Sequence, residues 1–175
     1  MKRLACLLVF AIGLTTIPLV SPAADTYPAT PKALVEKYLQ LDADAAGLAP
    51  ETWPELGQYT TFPQAPKWET FVVIEGYEIG KTMEGHSRAQ VRVVYRPLGQ
   101  LSEKFVVDTQ PENVVIYLNK VNGQWKVDSP PLMPHVSFDV MKKRLDANSA
   151  ANPKEKKVND ALISQIEAAR QSVHP

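Results

Sequence analysis

The sequence predicts an α+β fold: N-terminal helices packed on a bent antiparallel sheet of about five strands, followed by C-terminal helices. Three observations carry this. Residues 30–46 repeat apolar side chains at helical spacing, residues 69–128 change to a period of two, and residues 137–173 return to helical spacing. The firmest register lies in residues 113–131 (NVVIYLNKVNGQWKVDSPP), where Asn122-Gly123 separates two alternating runs. Asn-Gly marks a two-residue type I′ turn, because both central residues must accept positive φ. The turn sets Val121 opposite Gln124, Lys120 opposite Trp125, Leu118 opposite Val127 and Tyr117 opposite Asp128. One face then carries Val114, Ile116, Leu118, Trp125 and Val127 and belongs to the core. The other carries Val115, Tyr117, Asn119, Gln124, Lys126 and Asp128, and is either half covered by a helix or solvated.

The N-terminus is an address. Lys2 and Arg3 precede an apolar run from Leu4 to Val20 and the small residues Ser21-Pro22-Ala23-Ala24, the pattern of a removable secretory leader over residues 1–24. A retained membrane anchor fits less well, since the run is short for a span and contains Gly13 and Pro18. The expected location is therefore periplasmic or secreted, with no membrane contact after cleavage. Cys6, the sole cysteine, sits too early in the apolar run for lipidation and leaves with the leader. The mature chain then has no disulfide, no cysteine nucleophile and no cysteine-bound zinc. Without Lys2 and Arg3 there remain 17 basic against 19 acidic residues, a formal charge of −2, which argues against nucleic acid as a partner.

Thr30-Pro31 opens the first helix, with Thr30 as N-cap and Pro31 where a missing N–H costs nothing. Leu34, Val35, Tyr38, Leu41 and Ala45 form its apolar face through about Ala46, and Gly47 suits the residue just past its end. Residues 48–67 contain four prolines and the aromatic residues Trp53, Tyr59 and Phe62, with Trp68 just beyond. Pro50 is expected to start a short helix carrying Trp53 and Leu56, and the remaining aromatics to plug one end of the sheet. Residues 69–80 read as a strand with a bend at Gly76, and residues 86–96 as its antiparallel neighbour, with Ala89, Val91, Val93 and Tyr95 inward. Pro97-Leu98-Gly99-Gln100 is expected to turn, and residues 102–108 to form a third strand before the hairpin. Ser137 caps a helix over 138–146. These elements make residues 25–146 one α+β domain, 147–153 a polar linker and 154–175 an amphipathic helix. That last helix has the stripe Val158, Leu162, Ile166, Ala169 and Val173, which must bury against the domain or a partner.

The closing piece Lys120-Val121-Asn122-Gly123-Gln124-Trp125-Lys126-Val127-Asp128, behind this order of helices and long strands, resembles the final hairpin of the nuclear transport factor 2-like (NTF2-like) superfamily. The resemblance spans about residues 30–145. The proline-rich insertion and the last helix depart from the plain pattern. It implies a bent sheet wrapping the first helix as a cone with a pocket at its open end. Members of that superfamily include isomerases, dehydratases, ligand binders and assembly subunits, and the fold does not choose among them.

Polar residues expected near such a pocket are Tyr38, Asp42, Tyr77, Tyr95, Tyr117 and Asp128; a carboxylate in an apolar cavity would have a raised pKa suited to acid–base chemistry. Against that, Asp42 is near a helix end and open to solvation, and strand tyrosines are ordinary packing residues. Trp53, Tyr59, Phe62 and Trp68 are candidates for a ligand or partner surface, or else a lid on the core. His86, His135 and His174 occur singly, without the spacing of a metal site, and His135 suits a local cap beside Asp128 or Asp139. Arg88, Arg92 and Arg96 line one strand face, as an anion site or as a solvated row facing Glu69, Glu75 or Glu103. No motif assigns a catalytic residue or cofactor. The expectation is a non-enzymatic ligand-binding or protein-interaction module, with a small apolar ligand or a homodimer through the sheet as partner. The alternative is a small cofactor-independent isomerase or dehydratase acting on an apolar substrate.

Overall fold

The computed structural model describes residues 27–173; the expected leader with Cys6, and His174, lie outside them. The chain is α+β with a curled mixed sheet. Helix α1 (Pro31–Ala43) begins as the sequence predicts, with the Thr30 hydroxyl accepting from the Ala33 N–H at 3.2 Å and Pro31 in the first turn. It ends before Ala46. Ala45 takes the left-handed conformation (φ 68°), its N–H bonds Asp42 O and the Ala46 N–H bonds Leu41 O, each at 2.9 Å. That pair of bonds is a Schellman ending, and Ala45, buried against the C-terminal helices, fills the position expected of Gly47. The short helix α2 (Trp53–Gly57) follows and buries Leu56.

Strands β1 (Phe71–Glu84) and β2 (Arg88–Leu101) form the long antiparallel pair. Both exceed their expected lengths. The register breaks on either side of Ile74, so Gly76 does sit at a bulge. Residues 97–100, expected to turn, continue β2. Pro97 pairs at that same break, where a residue without an N–H disturbs the ladder least. Gly99 lets β3 (Phe105–Val107) close over β2, because a Cβ there would meet the Phe105 ring at 2.6 Å. The hairpin of β4 (Glu112–Val121) and β5 (Gln124–Ser129) turns through Asn122 (φ 50°) and Gly123 (φ 83°). Its register matches expectation from Val121–Gln124 to Leu118–Val127. Tyr117 then faces Ser129 instead of Asp128, which is the extra residue of a bulge.

The sheet is not wholly antiparallel. Beyond the proline-rich strap 130–134, β6 (His135–Ser137) runs parallel to β1, pairing with Val72, Val73 and Ile74, and the strand order becomes β5-β4-β2-β1-β6 with β3 beside β2. Two cores follow from the pleat. Val72, Ile74, Ala89, Val91, Val93, Ile116, Leu118, Trp125 and Val127 face α1 and α2, with Leu34, Val35, Tyr38 and Leu39 against them. Val73, Leu98, Leu101 and Val136 point the opposite way, beneath the last two helices.

Helix α3 (Phe138–Ala151) runs through the stretch expected to be a polar linker. Ser137 precedes it but makes no side-chain cap; its hydroxyl donates to Ala43 O at 3.1 Å. Helix α4 (Lys156–Val173) docks on its own domain, but on a face rotated from the expected stripe: Asn159, Ile163, Ile166 and Ala169 are buried, while Val158 is 63% exposed. The cause is polar. Asn159 donates to Ser149 Oγ at 3.1 Å and to Leu145 O at 3.4 Å, stitching α4 to α3 through a residue that an apolar pattern overlooks. Arg170 adds a two-pronged pair to Glu75 of β1, at 2.8 and 2.9 Å. Truncating Ile166 (1% exposed) to Ala is therefore expected to cost about 2–5 kcal/mol in urea unfolding, and Val158→Ala under about 0.5 kcal/mol. Equal costs would restore the stripe read from the sequence.

Candidate functional site

The densest group of ionisable side chains forms where the end of α1 meets β6. Asp42 lies on the inner face of the last turn of α1 and is buried, contrary to the solvated end expected for it. Its Oδ2 accepts the backbone N–H of His135 at 3.0 Å. The His135 ring, buried too, places Nδ1 3.7 Å from the same Oδ2, an ion-pair contact too long for a hydrogen bond. Its Nε2 is 3.2 Å from Oε2 of Glu112, at the start of β4. Tyr95 of β2 stacks on the imidazole, with ring centres 3.8 Å apart and planes 7° from parallel. His135 thus joins α1, β2, β4 and β6. It is not a local cap, and neither Asp128 nor Asp139 is among its hydrogen-bond or ion-pair partners.

The charges follow from the surroundings. Burial by itself pulls the imidazole pKa down, and the two carboxylates more than reverse this, holding it at about 9. Burial pushes the Asp42 carboxyl up, opposed by the nearby charge and the backbone N–H of His135. The hydrogen bond to His135 holds Glu112 below the usual carboxylate range, although partial burial works against it. With its pKa at about 9, the His135 ring is an imidazolium at neutral pH, set between Asp42 and Glu112. Burial, with the negative charge of Asp42 second, pushes the hydroxyls of Tyr38 and Tyr95 up, so both stay protonated.

The interior next to this group is full. Tyr38, Asp42, Trp53, Leu56, Phe62, Trp68, Leu132 and Pro134 surround a free volume of about 10 Å³, enough for about one water. Of the ten residues singled out from the sequence, Tyr38, Asp42, Trp53, Phe62 and Trp68 share this cavity, Tyr95 stacks on the His135 ring beside it, and Tyr77 meets Tyr95 edge-on. Tyr59 belongs to the core, its ring 5.4 Å from that of Tyr27. Tyr117 and Asp128 line a different feature, an open groove of about 610 Å³ with Met83, Glu84, Arg88, Gln90, Asn119 and Ser129. Tyr117 is 44% exposed there, and Asp128 accepts from the Thr61 hydroxyl at 3.0 Å. Arg96 of the arginine row pairs with Glu78 at 3.0 Å rather than with Glu69, Glu75 or Glu103. Arg88 and Arg92 have no hydrogen-bond or ion-pair partner for their guanidinium groups among the described residues.

Sequence reasoning missed His135 and Glu112 as members of the site. Asp42 lies 93 residues from His135 and Glu112 lies 23 away, so no local spacing ties the three together. Among the described residues no group of three or more His, Cys, Asp or Glu side chains is arranged to hold a metal ion. Comparisons with protein-family models, with curated proteins and with solved structures found no match to this chain.

The raised His135 pKa ties stability to pH. The folded state binds this proton more tightly than the unfolded chain, whose value is near 6.5, so the contribution is complete below about pH 6.5 and disappears as pH climbs through about 9. It amounts to about 3 kcal/mol at most. Glu112 acts in the opposite sense, contributing above about pH 4.5 and losing that contribution as acid is added. The urea midpoint is therefore expected to hold up to about pH 6.5, fall from there to about pH 9 and level off above it. His135→Gln, less stable throughout, should lose much of that alkaline slope; an unchanged slope would remove His135 as its source.

Proposed function

We propose that this chain is an exported, non-enzymatic interaction module of the NTF2-like type, and that its binding face is the outer groove lined by Tyr117 and Asp128. The observation that carries the reading is the contrast in free volume: about 10 Å³ beside Asp42 and Tyr38, against about 610 Å³ in the groove. Asp42, His135 and Tyr95 are groups suited to proton transfer, but an isomerase or dehydratase needs room for a substrate next to them, and Trp53, Trp68 and Phe62 fill that room. The kinship is supported by a curled sheet that packs its inner apolar face on the first helix, and by a closing hairpin with the expected type I′ turn.

A second copy of the chain is the occupant that the groove's chemistry favours. A two-fold contact brings one patch against itself and so requires both signs of charge on it. The groove has them, with unpaired Arg88 near Glu84 and Asp128, unpaired Arg92 further along β2, and Met83 and Tyr117 as exposed apolar anchors. Native mass spectrometry of the exported protein from its own host is expected to show a dimer that Tyr117→Ala together with Arg88→Glu reduces to monomer. A monomer that retains a small apolar molecule would replace the second copy with a ligand. A monomer with nothing bound, or a dimer indifferent to both substitutions, would overturn the groove as the binding face.

A further inference from the structure

We infer that His135 is a proton-operated latch that holds β6, and through it the α3–α4 pair, against the sheet. Three features make β6 the releasable element. It is three residues long and pairs only with Val72, Val73 and Ile74, in the parallel arrangement that is the weaker per residue. Its other ties are the His135 N–H on Asp42, the Ser137 hydroxyl on Ala43 O, and the His135 ring, which contacts Glu112 of β4 and stacks on Tyr95 of β2. It also leads without a break into α3, which packs on α4, so whatever frees β6 frees the root of both helices.

The groups facing the imidazole come from every element around it. Helix α1 supplies Asp42, with Tyr38 one turn earlier; β2 supplies the stacked Tyr95; β4 supplies Glu112; β1 offers only Val72 and its backbone at this level. While the ring is an imidazolium, its single positive charge faces both the buried Asp42 and the half-exposed Glu112. Once the ring loses its proton, the buried Asp42 carboxyl loses the positive charge beside it and keeps a single backbone donor, an arrangement that an apolar interior disfavours. Letting β6 move away admits water to Asp42 and relieves that cost. Moving α1 instead would uncover Leu34, Val35 and Leu39 and the inner core. The hydrogen bond from Arg170 to Glu75 pushes the guanidinium pKa above its ordinary value, so Arg170 keeps its charge while His135 loses its proton. Release uncovers Val73, Leu98 and Leu101, an apolar strip on the outer side of the sheet.

The test is an NMR titration of the full chain from about pH 6 to 11, following the His135 ring and the backbone amides in the same samples. The amides of residues 135–173 are expected to lose dispersion at the midpoint of His135, while those of residues 89–93 and 114–118 keep theirs. Glu112→Gln, at a half-exposed position that tolerates the change, removes one of the two charges and is expected to shift both midpoints down together by about one unit. Helices that stay docked after the ring has lost its proton would overturn the latch. So would loss of the whole domain at that midpoint, or a Glu112→Gln shift in one midpoint without the other.

Discussion

A carboxylate carried into an apolar interior has to be answered by its neighbours, and Asp42 is such a carboxylate. The last turn of α1 delivers it to the inner side of the sheet, and three responses surround it: a backbone N–H, an imidazolium and, across the ring, a second carboxylate. Each constrains the chain. The backbone donor fixes where β6 crosses the end of α1. The ring requires a flat neighbour, which Tyr95 provides. Glu112 sets where β4 begins, immediately after the chain returns from β3. Buried ion pairs are weak evidence for net stability, since well-packed apolar residues often do as well. What this one supplies is placement: helix, strand and strap meet at one point and in one register.

The sheet divides the protein into two regimes. On its inner side, aromatics from the proline-rich segment lie against Tyr38 and leave almost no free volume, so the end that would be the mouth of a cone is occupied by the chain itself. On its outer side, α3 and α4 cover one end of the β1–β2 pair, and the other end, with Arg88, Arg92 and Tyr117, faces solvent. The sheet is thus filled on its inner side and partly exposed on its outer side.

Local chemistry was legible in the sequence, and distant chemistry was not. The start of α1 could be read because Thr30 and Pro31 act on their immediate neighbours, and the hairpin because Asn122 and Gly123 are the residues that such a turn demands. The Tyr117–Asp128 pairing failed one step further along, since a bulge inserts a residue without changing the alternation that precedes it. Residues 97–100 looked like a turn from composition, yet Gly99 serves a close approach by β3 and Pro97 sits at a break in the ladder. The face of α4 was read one residue off because Asn159, a polar residue, is a buried contact. His135 was the largest omission. Its partners are on α1 and β4, and the short β6 that brings it to them has only three residues in which to show a pattern.

The borders of the sheet have a consequence for how this chain behaves in a crowd of its own kind. An open strand is a template on which another copy can extend a ladder. Along β5 that template is taken: the Val127 N–H donates to Tyr59 O and its carbonyl accepts from the Thr61 N–H, both at 2.8 Å. Along β1 beyond Ile74 no strand among the described residues pairs with the border, and there Glu78, Lys81 and Glu84 place charge on it while a register break between Ile79 and Thr82 interrupts its regular spacing. A docking strand would have to accommodate that charge and follow an irregular ladder. The long strand that gives the sheet its reach is in this way poorly suited to seeding fibrils.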